Sequence, residues 1–577
     1  MERIKEKFIP KEIYSLRTVI VISLYLKSLY VLLSLYPLEL KTLLFSFVAF
    51  VPIMFFTAFS FPFKDKTSRR LLLFFHILIS ILFFADVLYS RGFNRLINYY
   101  MIFAKGVSDG MSSSVLSLIR PLDFLLLLDL PILLYYSMKN RVARHRSRAI
   151  AFLGMAGITG ITIMIGIQQL EYHKVLGDLN SIPLYMSPLG NHVYDLYTYK
   201  RENDFKITQE QIVEIEKWNE ANQSFLEPSS EYRHLEGIFK DKNLIVIQFE
   251  SLENFVINKK VWGQEITPNM NRILGESFYF SSLFEQVKDG NSSDAELLFN
   301  TSLYPIKRGS AFLRFGENEY NSLPKILEGH GYRSMVLHGD DREFWNRHTV
   351  FPKLGFHDYL DETDFENQAL VGLGILDEYL FEQGIKEMKA LKEPFYINLI
   401  TVTSHMPFNM PEEYERLNFA TKDTSTGYLE SIRYVDEEFG KFYDNLKQEG
   451  LLEDSVIVIY GDHEGVHKYY ETELPDNNRE LPFIIHAPGL EGVEIDKSGG
   501  QVDMMPTLLY LLGIDQSEYA HTVMGRNLFN NHTGSSMYST GEIIYADGVK
   551  QLEKALYISD ITIRSNYYKK HQQQKTN

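Results

Sequence analysis

The chain has 577 residues, enough for a membrane section and a globular domain with a large core. Its formal charge of -16 argues against a general nucleic-acid binder, which needs a basic face. The absence of cysteine excludes disulfides, thiolate metal sites and Cys nucleophiles, and the 14% share of aromatic residues fits a chain with a membrane part.

The first third is not globular. Apolar runs occur near Leu16–Leu35, Thr42–Phe61, Leu71–Leu88, Val115–Tyr136 and Ala149–Leu170, each close to the roughly 20 residues a helix needs to cross a bilayer. Arg120 places the apolar core of the fourth run after itself. A cleavable signal peptide would give one short run, and a set of buried core helices is disfavoured by the number and length of these. Basic residues orient the spans. Arg3, Lys5, Lys7 and Lys11, then Lys64, Lys66, Arg69 and Arg70, then Lys139, Arg141, Arg144, Arg146 and Arg148 fall on one side of a five-span section. That side is expected to be the cytoplasm. The loop with Arg91, Arg95 and Lys105 is the exception and is expected along the outer interface. Everything after about Gln169 then lies outside the cell. Lys27, Asp86, Asp123 and Asp129 lie in or near the spans and are functional candidates by default, although Lys27 can snorkel and the Asp residues can sit at helix ends.

Residues 171–235 read as a helical connector, broken early by Pro183, Pro188 and Gly190 and continued by an amphipathic stretch, Ile207–Trp218. From Lys240 the pattern becomes short apolar runs separated by helical stretches: Asn243–Phe249, Ser334–Leu337, Phe395–Val402, Val456–Tyr460 and Pro482–His486. Strands spaced by helices predict a mostly parallel sheet covered on both faces. The predicted organisation is a transmembrane bundle over 1–170, the connector, an α/β domain over 236–560 and a polar tail over 561–577, whose Gln-rich end is expected to be disordered.

In open α/β sheets, ligands gather beyond the carboxyl ends of the strands. Four runs here end in acids or imidazoles: Glu250; His338 with Asp340; His405; and Asp462 with His463. Glu250, Asp462 and His463 supply two carboxylates and one imidazole. That set suits Mn²⁺, Mg²⁺ or Zn²⁺, and the oxygen-rich balance leans toward Mn²⁺ or Mg²⁺. A fourth ligand is expected from Gly290-Asn291-Ser292-Ser293-Asp294, where hydroxyls precede a helical run and its anion-attracting N-terminus. Metal coordination can lower a serine hydroxyl's pKa and orient it for attack. Taken alone, the segment reads first as an ordinary Ser/Asp N-cap. Arg347 offers a planar fork for phosphate oxygens and Trp345 a flat apolar wall.

Phe249-Glu250-Ser251, Gly290–Asp294, His338-Gly-Asp340, Phe344-Trp-Asn-Arg347, Ser404-His405-Met-Pro-Phe408, Tyr460-Gly-Asp-His463 and the late Val502–Leu508 together resemble the lipoteichoic acid synthases of the alkaline phosphatase and sulfatase superfamily. The resemblance spans almost the whole chain. It implies one Mn²⁺-type ion (Mg²⁺ as the alternative) on Glu250, Asp462 and His463, with Ser292 as metal-bound nucleophile. It also implies a glycerol phosphate site made by His338, Asp340, Trp345, Arg347 and His405. The implied reaction takes glycerol phosphate from phosphatidylglycerol, through a covalent Ser292 adduct, to a glycolipid or growing polyglycerolphosphate chain. The implied setting is a Gram-positive-type cell membrane, with the catalytic domain outside. The family carries Thr where this chain has Ser292. Serine keeps the hydroxyl but loses the methyl that restricts its rotamer.

The nearest alternative is a primase that adds only the first unit. A second is an inactive sensor or scaffold that binds headgroups, against which intact Glu250, Ser292, Asp462 and His463 argue. A phosphoethanolamine transferase is disfavoured by the Trp345/Arg347 cluster and the lack of Cys. A sulfatase is disfavoured because Ser292-Ser293-Asp294-Ala295-Glu296 lacks the Pro and Arg that formylglycine formation needs.

Overall fold

The structure is a computed structural model. It describes residues 16–93, 95–102, 115–139, 154–155, 157–162, 165–166, 182–203, 205–417, 419–530, 536–544 and 551–569. The chain divides into two compact units at about residue 204, with residues 115–117 grouped with the second.

Among the described residues of the first unit, four helices are long and apolar enough to cross a membrane: α1 (Leu16–Leu35), α2 (Leu40–Ala58), α3 (Asp65–Phe93) and α4 (Pro121–Met138). Most of the expected fifth span, Ala149–Leu170, lies outside the described residues, as do the basic residues at 3–11 and 141–148. Helix α2 tightens to a 3₁₀ turn over Phe47–Ala49. Pro52 has no N–H to offer the carbonyl of Val48, so the regular ladder breaks there.

The intramembrane charges are paired, which is how such groups are tolerated in hydrocarbon. Lys27 does not snorkel: its Nζ donates to Asp129 Oδ1 and to Ser80 Oγ, both at 2.6 Å. Arg91 holds Asp123 with both terminal nitrogens at 2.6 and 2.7 Å, and the Tyr30 hydroxyl adds a third bond at 2.9 Å. Asp86 meets His192 Nε2 at 2.8 Å. His192 stands on α5 (Pro188–Asn203), which belongs to the first unit.

The expected connector is therefore not one element. Its second helix, α6 (Gln209–Asn222), belongs to the second unit. Thr208 caps it by accepting from Gln211 N, and Gln211 returns a bond to Thr208 N. The Trp218 indole donates to the Gln551 carbonyl at 2.9 Å, at the start of the last described helix.

The second unit is built on a nine-stranded sheet. Its strands in chain order are β1 (Asn243–Phe249), β2 (Ser277–Phe284), β3 (Arg333–His338), β4 (Asp358–Leu360), β5 (Phe395–Ile400), β6 (Ser455–Gly461), β7 (Glu480–His486), β8 (Val493–Ile495) and β9 (Gly499–Gly500). The spatial order is β8-β2-β7-β6-β1-β5-β3-β4, with β9 beside β2. Only β7 runs antiparallel to its neighbours. The sheet is thus mostly parallel, as expected. The central β1, Asn-Leu-Ile-Val-Ile-Gln-Phe, is buried along its whole length, which explains its unbroken apolar run. Strands β2, β4, β8 and β9 were not anticipated from the sequence.

Helices cover both faces. On one, α7 (Ser292–Thr301) stacks Phe299 on Tyr460 of β6 with ring centroids 4.8 Å apart. On the other, Gly384 of α8 (Asp377–Ala390) lies against Leu399 of β5. The last helix, α9 (Leu552–Ser565), buries Ile558, Ile561 and Ile563, and Tyr567 and Tyr568 beyond it are also buried. The expectation of a polar tail from residue 561 is corrected accordingly, since apolar side chains anchor the chain through residue 568. Residues 570–577 lie outside the described residues.

Candidate active site

The parallel strands deliver their chemistry at one edge. In register, Phe249 at the end of β1 stands beside Gly461 at the end of β6. The next residue on each chain is therefore an acid, Glu250 and Asp462, with His463 following. Gly461 is required by the crowding there, because a Cβ would meet the Leu252 carbonyl oxygen at 2.2 Å.

Glu250, Asp462 and His463 are all buried, and their ligand atoms lie within 4.8 Å of one another. His463 Nε2 is 3.4 Å from Glu250 Oε1 and 3.6 Å from Asp462 Oδ2. Ser292 Oγ is 3.4 Å from Glu250 Oε2 and 3.5 Å from His463 Nε2. Four donors at about 2.1 Å from one ion in tetrahedral arrangement stand about 3.4 Å apart, and these four separations match that spacing.

Asp462, His463 and Glu250 are each tied back to the protein through another polar atom. Asp462 Oδ1 accepts from Ser251 N at 2.8 Å and His463 N at 2.7 Å, while its buried Oδ2 has no hydrogen-bond partner. His463 Nδ1 donates to the Glu464 carbonyl at 2.7 Å, which leaves Nε2 as the lone-pair nitrogen facing the cluster. Glu250 receives the Ser251 hydroxyl at 2.9 Å, and its backbone N donates to Thr401 Oγ1 at 2.9 Å. Burial, then the charge of Asp462, pushes the Glu250 carboxyl well above its ordinary range. Burial lowers His463. Two buried acids that repel each other, one with an orphaned oxygen, fit a divalent cation.

Ser292 is the first residue of α7, where the helix N-terminus favours a phosphoryl anion. Asn291 before it adopts φ 46°, ψ -119°, a conformation rare for a residue with a side chain. Its amide donates to Tyr469 OH at 3.0 Å and its oxygen accepts from Lys468 Nζ at 2.5 Å. The two serines are distinguished here: Ser293 Oγ donates to the Gly290 carbonyl at 2.7 Å and meets Ser310 Oγ at 2.9 Å, so it is committed to the loop. The supports Thr401, Lys468 and Tyr469 were missed in the sequence, and Ser251 was read only as part of the Phe249–Ser251 motif, with no role. Thr401 lies just before the Ser404-His405 motif and Ser251 just after Glu250, and adjacency was the only signal.

His338, at the end of β3, donates Nδ1–H to the Ile400 carbonyl at 3.0 Å, and His405 Nδ1 donates to the Met406 carbonyl at 2.7 Å. Burial lowers both pKa values, and the charge of Arg347 lowers His338 further. Both imidazoles are therefore neutral with an unprotonated Nε2. Asp340 is pushed up to about 7, chiefly by burial, and its Oδ2 has no partner. Trp345 and Asn346 both adopt left-handed φ, 56° and 60°. This pair turns the chain so that Arg347 opens the next helix, Arg347–Leu354. Arg347 departs from the expected free fork. Its Nε and Nη2 are taken by Glu296 of α7 at 3.0 and 2.6 Å, and only the buried Nη1 is left without a partner.

Comparison with known proteins gives the family and the fold. Residues 1–207 match the family model of the lipoteichoic acid synthase N-terminal domain, and residues 242–514 match that of the sulfatases. The chain is 30% identical to lipoteichoic acid synthase 1 of Bacillus subtilis over 533 residues, 87% of this chain and 82% of that protein. It is 31% identical to the lipoteichoic acid synthase of Staphylococcus aureus over 514 residues, 84% of this chain and 79% of that one. Its fold is similar to the crystal structure of the lipoteichoic acid synthase LtaP from Listeria monocytogenes, with a TM-score of 0.53 and 27% identity, covering 60% of this chain and 98% of that one. The chain belongs to the lipoteichoic acid synthase family.

Proposed function

We propose that this protein is a metal-dependent phosphoglycerol transferase of lipoteichoic acid synthesis. It moves glycerol phosphate from phosphatidylglycerol to a glycolipid or to the growing polyglycerolphosphate chain. The observation that carries the reading is Ser292 Oγ, set at a helix N-terminus 3.4 Å from Glu250 and 3.5 Å from His463. The names of the relatives supply the polymer class.

In this reading Glu250, Asp462, His463 and Ser292 hold one divalent cation, with Mn²⁺ preferred by the two carboxylates. Bound there, it would lower the pKa of the serine hydroxyl and offset charge on phosphate oxygens. Ser292 Oγ attacks phosphorus, the bond to diacylglycerol breaks, and the departing oxygen takes a proton. A terminal glycerol hydroxyl then attacks the phosphoserine ester, loses its proton, and frees Ser292. His338 and His405, neutral with Nε2 open, are assigned the proton transfers. Arg347 binds phosphate through Nη1, Trp345 walls the glycerol, and Asp340 accepts a glycerol hydroxyl. Residues 1–170 are assigned to the membrane section that gives access to lipid donor and product, and the catalytic domain, beginning near residue 236, to the outside of the cell.

Ser292→Ala should abolish diacylglycerol release from fluorescent phosphatidylglycerol, and unchanged turnover would sink the assignment. Mass analysis of the product formed on a glycolipid, with and without Mn²⁺, tests the acceptor and the metal. Many added units are expected. A single unit would point to a primase, which the synthase names of the relatives do not favour.

A further inference from the structure

Glu296 takes no part in the reaction just described, yet it lies at the centre of the site's least ordinary packing. It follows Ser292 by one helical turn on α7 and is fully buried. It does not face solvent, as a glutamate in a helix usually does. Its carboxylate grips one edge of Arg347, with Nε at 3.0 and 3.3 Å and Nη2 at 2.6 Å. Arg347 is itself among the largest fully buried side chains of the molecule.

A structural ion pair in a protein interior normally satisfies every donor, because an orphaned one forfeits its hydration without return. Here the satisfaction stops at one edge. Nη1, with two N–H groups, is buried and has no partner, and the nearby acid Asp340 likewise has an oxygen without one. The backbone leading to Arg347 is strained at two consecutive residues, Trp345 and Asn346, and strain of that kind persists where the surroundings enforce one orientation.

The anchoring extends further. Gln248 adjoins Glu296 and receives the Tyr460 hydroxyl at 2.7 Å. Gln248 and Tyr460 stand opposite each other on β1 and β6, two residues before Glu250 and Asp462 respectively. The two strands that carry the acids thus also stand beside the carboxylate that holds Arg347.

We propose that Glu296 is a positioning residue for phosphate recognition, occupying the Nε/Nη2 edge of Arg347 so that the guanidinium is fixed with Nη1 open to a phosphate oxygen. This rests on the reading above that Arg347 binds the phosphate of the substrate. Glu296 acts on the phosphate through Arg347; its charge also reaches Asp462, so the cation site is affected less than phosphate affinity rather than left untouched.

The test uses full-length enzyme with Mn²⁺, glycerol phosphate as competitor and fluorescent phosphatidylglycerol as substrate. Glu296→Gln should weaken inhibition by glycerol phosphate at least about tenfold, since a neutral amide loosens the grip that holds Nη1 in place. Mn²⁺ affinity should fall by much less. The double variant Glu296→Gln/Arg347→Ala should be no worse than Arg347→Ala, the signature of one residue acting through the other. Should Glu296→Gln fail to fold, Glu296→Asp keeps the charge but shortens the reach. It should lose phosphate affinity and keep Mn²⁺ affinity. Wild-type glycerol phosphate inhibition in Glu296→Gln or Glu296→Asp, beside a defective Arg347→Ala, overturns this inference alone, and so do losses that multiply in the double variant. An Arg347→Ala enzyme with wild-type phosphate affinity overturns the reading of Arg347 and this inference with it.

Discussion

Replacing Asp462 by Asn changes one atom of the cluster, and the structure fixes which one. Two backbone N–H groups converge on Oδ1, while Oδ2 is buried without a partner. The asparagine oxygen must take the Oδ1 position, because the flipped amide would set its NH₂ against both donors. Losing two hydrogen bonds worth about 1 kcal/mol each disfavours the flip by about 2 kcal/mol, roughly 30-fold. The NH₂ group therefore lands where Oδ2 was, donating where a ligand must accept. In the metal-free enzyme the substitution also removes the Asp462 charge that helps raise Glu250, a repulsion between two buried acids. Two opposite effects on stability follow. Without metal, Asp462→Asn should unfold at or above the wild-type temperature. With Mn²⁺ at about 100 times its Kd, the wild type should gain about 2.7 kcal/mol and the variant nothing. Thermal unfolding of the purified protein, after chelation and after Mn²⁺ is added back, reads both arms. An Mn²⁺-dependent rise in the variant equal to that of the wild type would refute the assignment of Oδ2 as a ligand.

Ser293→Ala should lose about 1 kcal/mol of stability, from the Gly290 and Ser310 bonds, and keep diacylglycerol release near wild type; loss of turnover would move the nucleophile to Ser293. Ser292→Thr should stay active, since the hydroxyl is retained and the added methyl only restricts its rotamer, as the same release assay would report. Chelation should stop release and added Mn²⁺ should restore it. Lys27→Met should destabilise the membrane section by about 1–3 kcal/mol by leaving half-buried Asp129 with only His76 and Ser23 as partners, and Lys27→Met/Asp129→Leu should recover most of the loss. Thermal aggregation in detergent measures both; equal damage in the single and double variants would show that the pair itself contributes the stability.

The site was legible where its chemistry coincides with a strand end. Runs such as Leu244–Phe249 and Val456–Tyr460 announce buried parallel strands, and the acid that follows each is out of place in a core. Register then did the rest, because Phe249 and Gly461 are partners. Strands β2 and β8 stayed hidden. Ser277–Phe284 carries three serines within its run and Val493–Ile495 only three residues, so neither shows a clean apolar block. The tail was misjudged for the opposite reason: Ile561, Ile563, Tyr567 and Tyr568 lie beside a polar end whose composition dominated the reading. Glu296 carried no local signal at all. A glutamate at the fifth position of a helix is ordinary in sequence, and only Arg347, 51 residues away, gives it meaning.

The bonds from Asp462 Oδ1 and His463 Nδ1 to the backbone have a consequence for selectivity among ions. Neither side chain can swing without giving up a contact to a neighbouring main chain, Ser251 and His463 for Asp462 and Glu464 for His463, which continues from the centre of a buried sheet. The donors cannot spread apart to admit a larger cation or draw inward around a smaller one. Discrimination would then follow ionic radius, with ions of about 2.0–2.2 Å bond length seated and Ca²⁺, at 2.3–2.6 Å, held loosely. Exchanging one well-fitting ion for another would change reactivity while the enzyme kept its shape.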